Sequence, residues 1–323
     1  MRMARIKIHG RSAVYHCISR IVGGERLLGK LQREKLSRML RRQAAFSGLE
    51  VITYCVMINH FHVLLRVPPA QELTDAQLVE RVTGYYGPES LYPQALQQQL
   101  AQTGRLTEAQ RTRLLARMGD VSVFNKELKQ RFSHWYNRLH ERYGTLWSER
   151  FKSVLVEDRD QAVRAVAAYI DLNPVRAGLV QDPKDCRWSG YGEAVAGCLL
   201  AQKGIASLYE TADWEGVGTA YRQLLFVTAG RAGHSGKVVL EPEAIRREMA
   251  QGAKLSLAEV LRLRVRYFSD GVVLGSQTYV NEVFAEFRER FGPRRKSGAR
   301  PLRGLPALSF LTSLRDLRKD AVS

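Results

Sequence analysis

The most constraining feature of this chain is residues 51–68, VITYCVMINHFHVLLRVP, where two β-branched and aromatic runs flank a short turn, Met57-Ile58-Asn59. Runs of Val, Ile, Tyr and Leu of this length read as paired strands in a buried sheet. Side chains two apart on a strand share a face. His60 and His62 therefore project together, and Phe61 turns to the opposite, packed side. Two imidazoles side by side on a rigid strand can hold a divalent metal. A bare His-x-His is more often a pair of hydrogen-bonded core or surface histidines, and residues far downstream are needed to choose.

The chain of 323 residues exceeds a typical domain, so a main domain with at least one appendage is expected. Its 50 Lys and Arg outnumber 32 Asp and Glu, a formal charge of +18 that points to a polyanionic partner, most often nucleic acid. The four cysteines contain no C-x-x-C pair, and Cys17 and Cys55 lie in apolar strand-like runs as buried thiols. Neither a disulfide framework nor a zinc ribbon is indicated, which suits a reducing cytoplasm. The basic N-terminus MRMARIKIHGR precedes no apolar signal region, and no run approaches membrane-spanning length. A soluble cytoplasmic protein, associated with the bacterial nucleoid, is expected.

Ser12 to Val22 alternates as a first strand, and Glu25 to about Phe46 follows as a helix stopped by Gly48. With the two strands around His60, this strand–helix–strand–strand order is the first half of a ferredoxin-like or RRM-like sheet in an α+β fold. Residues from about 70 to 120 are Gln-rich and helical, an insertion without a chemical motif. A basic amphipathic helix comes next, with Phe132, Trp135 and Tyr136 among Lys126, Lys129, Arg131 and Arg138; Gly144 ends it, and Phe151 to Val156 is strand-like. Aromatics among cations suit single-stranded nucleic acid, and they suit equally a core helix with inward-facing rings. A further helix runs from Asp160 into YIDLNPVRAGLV. Pro174 disfavours helical geometry at Asn173, and Tyr169 and Asn173 are i and i+4, one turn apart on one face.

Residues 196–236 read as a helical connector and linker, and 237–323 as a C-terminal all-helical extension. There LSLAEVLRLRVRYF and TYVNEVFAEFRERF flank the glycine-containing SDGVVLGSQ, which suits a helix-turn-helix. The tail RRKSGARPLRG, with Arg294, Arg295 and Lys296, is cationic and expected to order only on DNA.

The histidine pair, the Tyr169-x-x-x-Asn173 turn and the positive charge together fit phosphoryl transfer. A metal on two histidines polarises a scissile phosphate, and a tyrosine attacks it. A free phenol ionises only near pH ~10, so activation by metal or cations is needed. Asn173 is placed to offer an amide oxygen as a third ligand.

HFH on its strand, GTLWSERFKSVLV and AAYIDLNPVRAGLV together resemble the REP-associated tyrosine transposases, single-tyrosine HUH-type relatives of the small insertion-sequence transposases. The resemblance covers roughly residues 5–191, giving residues 1–195 as the transposase domain. It implies His60 and His62 as metal ligands, Asn173 as third ligand and Tyr169 as nucleophile, with Mg²⁺ or Mn²⁺ as cofactor. It also implies cleavage of single-stranded DNA beside a hairpin, a 5′-phosphotyrosine with a free 3′-hydroxyl, and an RRM-like antiparallel sheet with helices on one side. A homodimer is compatible with it. Lys126, Lys129, Arg131, Arg138 and Lys152 are phosphate-contact candidates by chemistry. The insertion and the C-terminal region lie outside the family core, so deletion beyond Gly236 is expected to spare nicking and weaken DNA binding. A non-catalytic DNA-binding regulator is the main alternative, and an RNA-binding protein ranks third.

Overall fold

The computed structural model describes residues 5–209, 213–226, 260–261 and 264–317. The two runs around the Met57–Asn59 turn are strands: β1 is Ala13–Arg20, β2 Glu50–Val56 and β3 His60–Val67. The turn is closed by Met57 N donating to His60 O at 2.8 Å. Between β1 and β2 lies α1, Lys30–Ser47, ended by Gly48 in the left-handed conformation at φ 67°, which only glycine adopts without a Cβ penalty. β3 lies between β1 and β2, antiparallel to both, with Ile18 of β1 and Cys55 of β2 both opposite His62. β4, Lys152–Val156, pairs antiparallel with the other edge of β1.

Three helices fill the insertion: α2, Asp75–Tyr86; α3, Leu91–Thr103; and α4, Glu108–Leu115. Thr74 and Thr107 start α2 and α4 with reciprocal capping boxes to Gln77 and Gln110. Leu78, Val82, Tyr85, Leu96 and Leu114 form a small core of their own, tied to α1 through Phe46. The basic helix α5, Val121–Leu139, is capped by Asp120 and buries Phe124, Leu128, Phe132 and Tyr136. Downstream come α6, Asp160–Asp171; α7, Asn173–Arg176; α8, Gly190–Val195; α9, Leu199–Ala206; and α10, Trp214–Phe226.

The C-terminal region adds α11, Tyr267–Asp270; β5, Val273–Gly275; α12, Gln277–Glu286; and two short strands, β6 (Arg300–Pro301) and β7 (Thr312–Ser313). β5 pairs with β4 in parallel, and the seven strands run β2-β3-β1-β4-β5-β7-β6. The α+β class holds, but three details differ from the sequence reading. The sheet is mixed, because the C-terminal chain joins it as strands and is not all-helical. The segment SDGVVLGSQ contains β5, whose Leu274 pairs with Val156 and Ser313, so it is a sheet strand and not the turn of a helix-turn-helix. Much of the first proposed helix there lies outside the described residues. Finally, the tail is built into the fold, with Arg295 hydrogen-bonded to the carbonyls of Ser297, Gly298 and Leu314.

Helices cover both faces, where one face was expected. Ala13, Tyr15, Cys17, Val63 and Leu65 pack under α1 and α5, with Leu40, Phe124 and Leu128. Val14, Leu64, Val154 and Val156 pack instead under α6 and α10 and against Phe268, Leu305 and Leu308 of the C-terminal region. This second face is the one that carries His62. Both faces being apolar explains the nearly continuous hydrophobic runs of β1–β3. No described helix is long and apolar enough to cross a membrane.

Candidate metal and tyrosine site

The site sits where the ends of β1 and β3 meet the C-terminus of α6. Alternation along β3 places His60 and His62 on one face and Phe61 on the other, where Phe61 is fully buried with its ring 5.6 Å from that of Trp147. The two imidazole rings lie 5.0 Å apart. His62 is buried, whereas His60 keeps an accessible edge.

Each histidine has one nitrogen tied down. His60 Nδ1 is 2.7 Å from Asn59 Oδ1, and Asn59 Nδ2 donates to the Gly24 carbonyl at 3.0 Å. His62 Nδ1 is 2.9 Å from Nε2 of a third histidine, His16, whose own Nδ1 is 2.8 Å from the Phe268 carbonyl. Burial is the main cause that holds all three in the neutral form. It lowers His16 to about 4 and His60 to about 3, the latter helped by Arg20, Arg176 and Arg264, and it takes His62 well below the usual imidazole range. Neutral imidazole is the metal-ligating form, so the donor chemistry fits a divalent ion with an Nε2 from each of His60 and His62.

Tyr169, on α6, lies beside this pair. Its ring is 6.2 Å from that of His62 and 6.3 Å from that of His16, edge-on to both. Phe268 packs edge-on against it at 4.9 Å, and the Arg176 guanidinium lies 4.4 Å from its centroid. α6 ends at Asp171, and the chain restarts as α7 with Pro174 in its first turn, where the missing N–H costs nothing. Asn173 is buried, donates from Nδ2 to the Tyr169 carbonyl at 3.2 Å, and accepts on Oδ1 from Arg176. Its amide oxygen is thus engaged by a cation. Among the described residues no cluster of three or more His, Cys, Asp or Glu has metal-binding geometry.

Asp171, two residues after Tyr169, is fully buried. It accepts from Thr53 Oγ1 on both oxygens, from Tyr221 Oη at 2.7 Å and from Tyr191 N at 3.2 Å. Burial still pushes its carboxyl up to about 7 against those hydrogen bonds.

The candidate phosphate contacts divide into two groups. Lys129 donates to the Glu149 carbonyl at 2.7 Å and is lowered to about 8 by burial, while Arg131 stacks 4.1 Å from the Tyr85 ring. Lys152 pairs with Asp270 at 2.9 Å, and Arg295 is held by backbone carbonyls. Lys126, Arg138, Arg294 and Lys296 are exposed. Phe132 and Tyr136 face the core, so they are no stacking platform for bases, and Trp135 packs partly buried beside them. The sequence reading missed His16, Asn59, Arg176 and Phe268. Only pairing shows that His16 shares a face with His62, because their strands are far apart in the chain.

Residues 11–91 match the family model described as Transposase IS200 like. That stretch is similar to the IS200-like transposases. It spans β1 to the start of α3 and contains His16, Asn59, His60 and His62, while Tyr169 and Asn173 lie beyond it. No curated protein matches the chain. Among solved structures, a REP-associated tyrosine transposase bound to a REP hairpin is similar at 17% identity, over 61% of this chain and 86% of that one, with a TM-score of 0.38.

Proposed function

We propose that this chain is a metal-dependent transposase that nicks and rejoins single-stranded DNA through Tyr169. The observation that carries this reading is the meeting of two adjacent histidine rings with a tyrosine on the facing helix, inside a strongly basic chain. Mg²⁺ or Mn²⁺ held by His60 and His62 would polarise the scissile phosphate and offset its charge.

Tyr169 Oη then attacks phosphorus, forming a Tyr–O–P bond as the P–O3′ bond breaks. The phenolic proton leaves to solvent, and the departing 3′-oxygen takes one up, giving a 5′-phosphotyrosine and a free 3′-hydroxyl. The ester bond energy is retained, so a second 3′-hydroxyl can displace the tyrosine and reseal the strand. Arg176, beside the ring, is placed to neutralise charge on the phosphate. For Asn173 to act as third ligand, Arg176 must release its oxygen, and the phosphate is the natural acceptor for the guanidinium. Exposed Lys126, Arg138, Arg294 and Lys296 serve the flanking backbone. The substrate class is hairpin-forming repeat DNA.

The test is a denaturing gel with 3′-labelled hairpin DNA taken from repeats flanking the gene, in Mn²⁺. Wild type should give a covalent protein–DNA band, and Tyr169→Phe should bind the hairpin without giving one. A band that persists in the variant means another tyrosine attacks. Tight binding without any band favours a non-catalytic DNA-binding regulator.

A further inference from the structure

The tied nitrogens of the histidine pair define more than packing. A backbone carbonyl can only accept, so the Phe268 carbonyl, 2.8 Å away, requires a proton on His16 Nδ1. In a neutral ring that leaves Nε2 of His16 as an acceptor. His62 Nδ1, 2.9 Å from it, must then be the protonated nitrogen of its ring, and His62 Nε2 is left bare. The same logic runs through Asn59. Its Nδ2 is committed to the Gly24 carbonyl, so its Oδ1 faces His60 Nδ1, which must carry the proton, and His60 Nε2 is bare as well. Two independent supports thus impose one tautomer on both histidines.

We infer that His16 is a positioning residue, the middle of a relay from the Phe268 carbonyl through His16 to His62 that holds His62 Nε2 unprotonated and turned to the metal. The metal end of this relay rests on the function proposed above. A metal-bound histidine gains both orientation and basicity from a partner on its second nitrogen. His16 is fully buried, and its ring meets that of His62 edge to edge, with centroids 5.1 Å apart and planes 23° apart, the geometry an in-plane N–H···N bond requires. The far end of the relay belongs to α11, in the C-terminal region. Phe268 serves the site twice, with its carbonyl on His16 and its ring against Tyr169. The C-terminal region therefore completes the catalytic site and is not an accessory to it.

The relay is read first without metal. Long-range ¹H–¹⁵N spectra of the histidine side chains in the full-length apo chain should show His62 as the Nδ1–H tautomer, and an Nε2–H tautomer there overturns the relay. Mn²⁺ affinity is then followed by electron paramagnetic resonance. His16→Leu, which removes the acceptor, should weaken Mn²⁺ binding about 10- to 100-fold and mix the His62 tautomers. His16→Gln, which keeps an acceptor oxygen, should restore most of both. Wild-type Mn²⁺ affinity in His16→Leu, with binding still lost in His60→Ala, overturns the relay alone. Failure of the wild-type chain to bind Mn²⁺ while His62 shows the Nδ1–H tautomer overturns the metal centre and leaves the hydrogen-bond relay standing.

Discussion

Asp171 shows how a single residue holds Tyr169, the proposed nucleophile, in place. Its carboxyl ties α6 to β2 through Thr53, to α8 through the Tyr191 amide and to α10 through Tyr221. These ties fix the rotation of α6, and with it the direction of Tyr169 two residues earlier. Thr53 shares the α6 face with Cys55 by alternation, and the register shift with β3 between Val51 and Thr53 brings Ile52 into the same core. Asp171→Ala would leave the two hydroxyls and the amide buried without their acceptor, at roughly 1–3 kcal/mol for each unmet group. We expect a loss of about 3 kcal/mol in urea unfolding after partial relaxation. Asp171→Asn should keep most of the stability, since its oxygen can take the Tyr191 N–H while its amide donates to the two hydroxyl oxygens. Equal stability of the two variants would show that the carboxyl is no tie. From sequence, Asp171 was only a letter in YIDLNP, because its partners come from three separate segments.

Between elements, close approach is decided at glycines. α9 packs on β2 at Gly204, where a Cβ would lie 2.3 Å from the Val51 carbonyl oxygen and 2.7 Å from that of Ile52. Backbone cannot give way as a flexible side chain can, so Gly204→Ala must lift α9 from the sheet, at about 1–3 kcal/mol. Gly84, exposed on α2, has nothing within 4 Å of its would-be Cβ. Gly84→Ala should therefore stabilise the insertion by up to ~1 kcal/mol through helix propensity. Thermal melts of the two variants should move in opposite directions, and a shared direction would contradict the packing of α9. The helices themselves were legible, since α1 and α5 show their buried face at helical spacing. Which glycine marked a contact was not, because contact depends on the partner strand.

For the whole molecule, the decisive fact is that the C-terminal region shares the sheet and both cores. β5 covers the outer edge of β4, Val273 and Leu314 belong to the core under α1 and α5, and Phe268, Leu305 and Leu308 belong to the core under α6. Deleting everything after Gly236 therefore bares a sheet edge and apolar surface and removes the carbonyl that orients His16. We expect the truncated chain to melt well below the full-length protein and to form no covalent DNA adduct. That reverses the expectation from sequence that such a deletion spares nicking. A truncated chain that melts normally and nicks would make the region an independent appendage.

The sequence alone determined what is local. Period-two runs set the strands, alternation put His60 and His62 on one face, and i,i+4 spacing joined Tyr169 to Asn173. The motifs also pointed to the transposase family that residues 11–91 match. Tertiary structure alone decided what depends on pairing between distant segments. It set the register that brings His16 to His62, the parallel joining of β5 to β4, and the reach of Phe268 into the site. The physical reason is that hydrogen-bonding side chains and short strands carry no periodic signature of their partners, so their meaning appears only when the chain closes on itself.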